Sequence, residues 1–192
     1  MNNTVFARRS IRRFKQTPVT KEQIQSLLDA ALVAPSARNG QILRYCVVSS
    51  PEKLNEVFNN TAWAGYVHPK RIPLRDVSAP TLFIVVSALN NGAEISNHTW
   101  ADAGAAIENM LLTAVELGLG GCWIGSFNRE ILETTISQPE GQTALYVIAI
   151  GVPDESPVLE RIEADGDTKY YLDEADVLHV PKYTVDAATR FI

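Results

Sequence analysis

The chain has 192 residues, 46% of them hydrophobic and 20% charged, with a formal net charge of -5; this suits one globular domain with a substantial core and argues against disorder. No apolar run approaches the roughly 18 residues of a membrane span and the N-terminus lacks the apolar stretch of a secretory signal, so a cytoplasmic setting is expected and no membrane partner is implied. Cys46 and Cys122 stand far apart without C-x-x-C spacing, which indicates neither a disulfide framework nor a metal site.

The first feature met along the chain is RRSIRRF, residues 8–14. Residues 1–15 hold Arg8, Arg9, Arg12, Arg13 and Lys15 with no acid, and the remaining residues carry 12 cations against 22 acids. A nucleic-acid surface spreads its cations over many phosphates, and here the rest of the chain repels a long polyanion, so nucleic acid is not the expected partner. Two readings of the cluster stay open on these residues alone. One is a solvated face whose arginines pair with acids elsewhere, for which residues 154–176, with nine acids and two cations, offer partners. The other is an anchor for one small phosphate ligand.

Thr20 and Gln23 have capping-box spacing, and Ile24, Leu27, Leu28 and Ala31 then share a helical face until Pro35. APSARNGQ, residues 34–41, reads as a turn-rich loop, followed by a strand through Tyr45 to Val48 and a short helix from Ser50–Pro51 to about Phe58. Residues 59–80 have no clear period. They form an expected long excursion bearing Trp63, Tyr66 and His68, and such excursions in compact domains are often functional.

TLFIVVSAL (81–89) and ALYVIAIG (144–151) are continuous apolar runs of strand length, expected at the centre of a sheet covered on both faces. Between them the pattern predicts the longest helix, about 97–117, with Trp100, Ala103, Ile107, Met110, Leu111 and Ala114 on one face and Ala105, Leu112 and Val115 on the other. Apolarity nearly all round marks a helix buried in a core or in a subunit contact, and for a chain of this length a dimer interface is a natural use. Gly118 reads as its C-cap, residues 120–126 as a strand, and Asn128 as the cap of a further helix. The final stretch from Lys169 has too little apolar periodicity to fold alone and is expected to wrap around something.

GLGGCWIG is not a dinucleotide loop, because that loop must follow a strand and open a helix, and here the order is reversed. Ser36 lacks the glycine flanks of a nucleophile elbow. His68, His98 and His179 lack metal-ligand spacing. Asp102 reads as a satisfied buried carboxylate, and Cys122 as a small packing residue.

Taken together, RRSIRRF, PVTKEQIQSLLDAALVAPSARNGQ, DAGAAIENMLLTAVELGLGGCWIGSFNRE and VIAIGVPDESP resemble, in order and spacing, the FMN-dependent nitroreductase family, and GDTKYY with HVPK beyond it resembles a short bacterial subgroup. The resemblance implies an α+β fold, a central mostly antiparallel sheet flanked by helices, in an intertwined homodimer. It makes residues 1–192 a single nitroreductase-like domain with 168–192 as a C-terminal arm around the partner. It implies FMN as cofactor, NAD(P)H as electron donor, and ping-pong transfer to a small oxidant such as a nitroaromatic or quinone, with no catalytic side chain and no metal. A specialised flavin dehydrogenase or reductase, or a non-catalytic flavin-binding protein, is the alternative.

Carried over by motif, Arg8, Arg9, Ser10 and Arg12 match the segment on the FMN phosphate, ribityl chain and pyrimidine edge, which suits the arginine fork. Pro35, Ser36, Ala37, Arg38, Asn39 and Gln41 match the loop a partner subunit lays along the flavin. Cys122, Trp123, Ile124 and Gly125 match the strand end that approaches the ring. Lys182 matches a basic position that reaches the phosphate. Trp63 and Tyr66 are the candidates for the substrate face.

Overall fold

A computed structural model describes residues 3–192. After a short helix, Asn3–Ala7 (α1), the chain makes a two-residue strand, Phe14–Lys15 (β1), and enters Lys21–Leu32 (α2). The capping box is formed in both directions: Thr20 Oγ1 accepts from the Gln23 N–H at 3.2 Å, and Gln23 Oε1 accepts from the Thr20 N–H at 2.9 Å. Leu27 and Ala31 of α2 are buried, with Ile24 and Leu28 packed against them.

Leu43–Val48 (β2), Pro51–Asn59 (α3) and Leu82–Leu89 (β3) follow. The long helix is Asn97–Glu116 (α4), then come Gly120–Ile124 (β4), Arg129–Thr135 (α5) and Gln142–Pro153 (β5). Gly118 takes φ +72° and ends α4, with the Leu119 N–H returning to the Ala114 carbonyl at 2.8 Å; this is the left-handed cap that glycine adopts without a Cβ penalty. Asn128 caps α5 through the Ile131 N–H. The strand expected over 120–126 stops at Ile124, where it leaves β5.

The main sheet is antiparallel throughout, in the order β1-β5-β3-β2. β5 spans 12 residues, so it pairs with β3 along one edge and with both β4 and β1 along the other. Both faces are covered, as the two apolar runs require. Leu82, Ile84, Val86, Ile148 and Ile150 pack against α2 and α4, while Phe83, Val85, Val147 and Ala149 pack with Phe14, Val57 and Leu132. The fold is thus α+β, with a central antiparallel sheet between helices. Ala105, Leu112 and Val115 on the outer side of α4 are only partly covered.

The C-terminal stretch pairs with a strand that the sequence pattern does not announce. Val158–Ile162 (β6) runs parallel to Leu178–Tyr183 (β8), whose other edge takes Tyr171–Leu172 (β7), and a last short helix, Val185–Ala188 (α6), follows. Residues through Tyr183 therefore belong to a second, three-stranded sheet within the same chain.

Candidate functional site

The arginine segment is laid along β4 because Gly120 leaves room for it: a Cβ there would stand 2.6 Å from Ile11 Cγ1. A Cβ on Gly121 would instead meet the core, 2.6 Å from Leu111 Cδ2 and 3.0 Å from the Ala149 carbonyl oxygen. Without those side chains Ser10 bridges to Gly121, and the Ile11 N–H donates to the Gly121 carbonyl at 2.9 Å. Ile11 is buried at this contact.

The four arginines have separate fates. Arg8 Nε pairs with Glu108 of α4 at 3.0 Å. The Arg9 guanidinium donates to the Phe6 carbonyl at 2.5 Å and to the Arg8 carbonyl, closing the end of α1. Burial, then the charges of Arg8 and Arg161, push Arg9 below its usual value. The Arg12 guanidinium lies 5.0 Å over the Tyr170 ring, a cation–π contact. Arg13 donates to Asp176 at 2.8 Å and to the Lys70 carbonyl at 3.2 Å. Among the described residues neither Arg9 nor Arg12 has a carboxylate ion-pair partner.

One buried carboxylate holds this segment in place. Glu155 Oε1 accepts from the backbone N–H of Arg12 and, at 3.2 Å, of Arg13. Glu155 in turn faces Arg71 at 3.7 Å, and Arg71, only 2% exposed, also reaches Asp176 at 3.5 Å and that residue's carbonyl. Nothing in the sequence flags Arg71 or Glu155. A cation in a polar excursion and an acid in an acid-rich run both read as solvated.

Cys122 is buried, and burial first of all raises its thiol, the packing role expected of it. Trp123 is outward, its ring edge-on to Tyr146 at 5.0 Å, and Gly125 lies against the same tyrosine ring. Of the excursion pair, Trp63 is 7% exposed and packed on Phe58, with its indole N–H donating to Thr61 Oγ1 at 3.0 Å, so it sits with the core of its own chain. A loop indole with a local acceptor gains more from burial than from solvent. Tyr66 stays exposed, its ring edge-on to Tyr170 at 5.0 Å. These two tyrosines and Lys169 line an open cleft of about 630 Å³.

The 35–41 loop is exposed and held in an unusual backbone. Arg38, Asn39 and Gln41 have φ of +55°, +53° and +48°, a conformation costly for residues with a Cβ and one that marks functional loops when the surroundings enforce it. Asp102 of α4, half-buried rather than buried, enforces it by accepting from the Ala37 N–H at 2.9 Å, and Ser36 Oγ accepts from the Gln41 N–H at 3.3 Å. Asp102 lies six residues before Glu108, the contact of Arg8, which is about 9 Å along the helix at 1.5 Å per residue. Pro35, Ser36 and Gln41 line a separate small cleft beside Asp102 and Ala106.

Lys182 is on the exposed part of β8, in register with Arg161 of β6. The charge of Arg161 helps to lower Arg9, and Arg161 was not signalled by the sequence, lying alone among acids in a five-residue strand. Uncompensated cations at Arg9, Arg12, Arg161 and Lys182, in a chain of net charge -5, fit a small phosphate-bearing group. Among the described residues no helix is long and apolar enough to cross a membrane.

An antiparallel sheet between helices, with an arginine segment beside its fourth strand, is the architecture of a known class of α+β enzymes. The model of the Nitroreductase family matches residues 5–152, and the chain belongs to that family. It is 30% identical to an NADPH-flavin oxidoreductase of Vibrio harveyi over 82% of this chain and 68% of that protein. It is 33% identical to a putative NADH dehydrogenase/NAD(P)H nitroreductase of Methanothermobacter thermautotrophicus over 80% of this chain and 77% of that one. Among solved structures, an FMN-dependent nitroreductase of Clostridium difficile superposes with a TM-score of 0.66 at 29% identity, covering 91% of this chain and 99% of that one.

Proposed function

We propose that this protein is an FMN-dependent oxidoreductase that takes electrons from NAD(P)H and passes them to a small oxidant such as a nitroaromatic or quinone, acting as a cytoplasmic homodimer. The observation that carries this reading is the uncompensated basic surface beside β4 in a chain of this family. Arg8, Arg9, Ser10, Arg12 and Lys182 would hold the phosphate and polar edge of FMN, and the Cys122–Gly125 strand end would face its ring. FMN, when bound, supplies hydride acceptance and donation. The chain's own work is to anchor, orient and shield. Tyr66 and Tyr170 shape an aromatic wall beside Arg12, and no side chain is required as nucleophile or base. One binding face used in turn by donor and oxidant gives ping-pong kinetics.

The second subunit completes the site in this reading. The 35–41 loop stands apart from the arginine segment of its own chain and is free to lie on a partner's. The partly covered apolar side of α4, exposed Leu32 and Val33 beside the loop, and exposed Phe191 and Ile192 at the terminus supply contact surface. The last residues, Thr184–Ile192, extend beyond the small sheet as the segment that would reach the partner.

The test is the absorbance spectrum of the purified protein, followed by anaerobic addition of NADH or NADPH. A yellow protein bleached by either is expected. A colourless protein that cannot be reconstituted with FMN would overturn the reading, and a yellow one that neither donor bleaches would leave only flavin binding. Arg8→Ala and Arg12→Ala should each weaken FMN binding about tenfold to hundredfold, since charge-assisted bonds contribute roughly 1.5–3 kcal/mol.

A further inference from the structure

The register of the small sheet places two cations side by side with no acid between them. Arg161 of β6 is the in-register partner of Lys182 of β8 in a parallel pair, so both side chains leave the same face on strands about 4.8 Å apart. Both are exposed, and among the described residues neither forms an ion pair. Like charges set directly across a strand pair destabilise it. The arrangement is all the less expected because the surrounding segment, residues 154–176, carries nine acids. Four of those acids are engaged elsewhere: Glu160 and Asp173 with His179, Glu155 with Arg71, and Asp176 with Arg13 and Arg71.

Arg161 is also fixed in direction. Its Nη1 donates to the Tyr183 carbonyl at 3.1 Å, which holds the guanidinium along the end of β8 while leaving its remaining N–H groups free. Arg9, at the end of α1, feels the charge of Arg161 after burial and the charge of Arg8. The two basic groups of β6 and β8 thus share one face without an ion-pair partner among the described residues. Such a pair repels itself unless an anion occupies its centre.

Resting on the FMN reading above, we propose that Arg161 is a direct ligand of the FMN phosphate, acting with Arg9 and Lys182, and that the small sheet serves to carry this pair of cations to the arginine segment. A doubly charged phosphate has three oxygens to share among them, and the guanidinium fork meets two at once. The ribityl and ring portions of the cofactor gain nothing from Arg161. Its contribution therefore distinguishes FMN from riboflavin.

The experiment is titration of the full-length apoprotein with FMN and, separately, with riboflavin, followed by flavin fluorescence, for the parent, Arg161→Gln and Arg161→Lys. Arg161→Gln should weaken FMN about tenfold or more while riboflavin binding stays level, and Arg161→Lys should recover only part of the loss because the charge returns without the fork. Unchanged FMN affinity in Arg161→Gln, with the parent binding FMN tightly, overturns the role of Arg161 and leaves the FMN reading intact. An equal fall for FMN and riboflavin makes Arg161 a structural residue of the small sheet and also overturns the proposal. A parent that binds neither flavin overturns the FMN reading and this proposal together.

Discussion

The two sheets of this protein are held by opposite means. The five-stranded sheet is stabilised by apolar burial: the inner faces of β3 and β5 are almost wholly excluded from water, and its strands pair in long runs. The three-stranded sheet is short and polar. His179 stands between Glu160 at 2.7 Å and Asp173 at 3.1 Å, Tyr171 stacks on its ring at 5.0 Å, and the Tyr171 hydroxyl donates to Glu160 at 2.8 Å. The junction between the sheets is ionic too, through Arg71, Glu155 and Asp176. The difference teaches that the scaffold tolerates changes of solvent condition which its basic surface, carried partly by the small sheet, will register.

The junction is the most sensitive point. Arg71 Nε and Nη1 and Glu155 Oε2 are buried without a hydrogen bond, so the pair is held by charge alone. Arg71→Met leaves Glu155 as an uncompensated buried charge and should cost about 3–5 kcal/mol of stability in urea denaturation, while adding Glu155→Gln should return at least about 1 kcal/mol of it. A single variant that loses no more than a surface substitution would mean that the junction is solvated and the contrast between the sheets is false.

The next effect is confined to the small sheet and depends on pH. The hydrogen bond to Asp173 first, then that to Glu160, raises His179 above its ordinary 6.5. The Val177 N–H and then His179 lower Asp173 below 3.8, and the Tyr171 hydroxyl foremost lowers Glu160 below 4.5. A raised histidine contributes fully below its unfolded value and loses that contribution as pH rises through the folded one. Lowered carboxylates contribute above their unfolded values and lose that contribution as pH falls through the folded ones. The small sheet should therefore be tightest between about pH 4.5 and 6.5 and loosen on either side. Amide hydrogen exchange over residues 158–183, corrected for intrinsic rate, reads this out. His179→Gln should remove the alkaline change and leave exchange in β3 and β5 as it was; a parent whose exchange is level across neutral pH would dismiss the histidine as the clasp.

Arg13→Ala should do least. Its pair with Asp176 is 33% and 50% exposed at the two side chains, and such pairs contribute about 0–1 kcal/mol. FMN titration should give an affinity within about twofold of the parent, since the energy at stake is at most that of one screened pair. A tenfold loss would place Arg13 itself on the cofactor.

What the sequence disclosed divides along the same line. The apolar runs of β3 and β5, the capping box at Thr20 and Gln23, the glycine end of α4 and the cap at Asn128 are local signals, and each was legible. So was the segregation of arginines at the start of the chain. The polar sheet was not, because Val158–Ile162 is five residues with a charge on each face and pairs in parallel with a strand 16 residues beyond its end. Arg161, Arg71 and Glu155 owe their roles to that pairing and to burial, which no spacing encodes. The burial of Trp63 was not legible either, because an aromatic in an aperiodic loop gives no sign of which side it faces.

The position of β5 in the chain has a consequence for synthesis. The strand that joins β1, β3 and β4 into one sheet begins at Gln142 and ends at Pro153, late in a chain of 192 residues. At the usual pace of about 5–20 residues per second, a nascent chain waits several seconds after β3 emerges before its second edge can be covered. During that interval Leu82–Leu89 presents an apolar, unpaired edge to the crowded exit of the ribosome, with only β2 beside it. Expression of this protein should consequently depend on chaperone supply and translation rate more than the stability of the finished molecule would suggest.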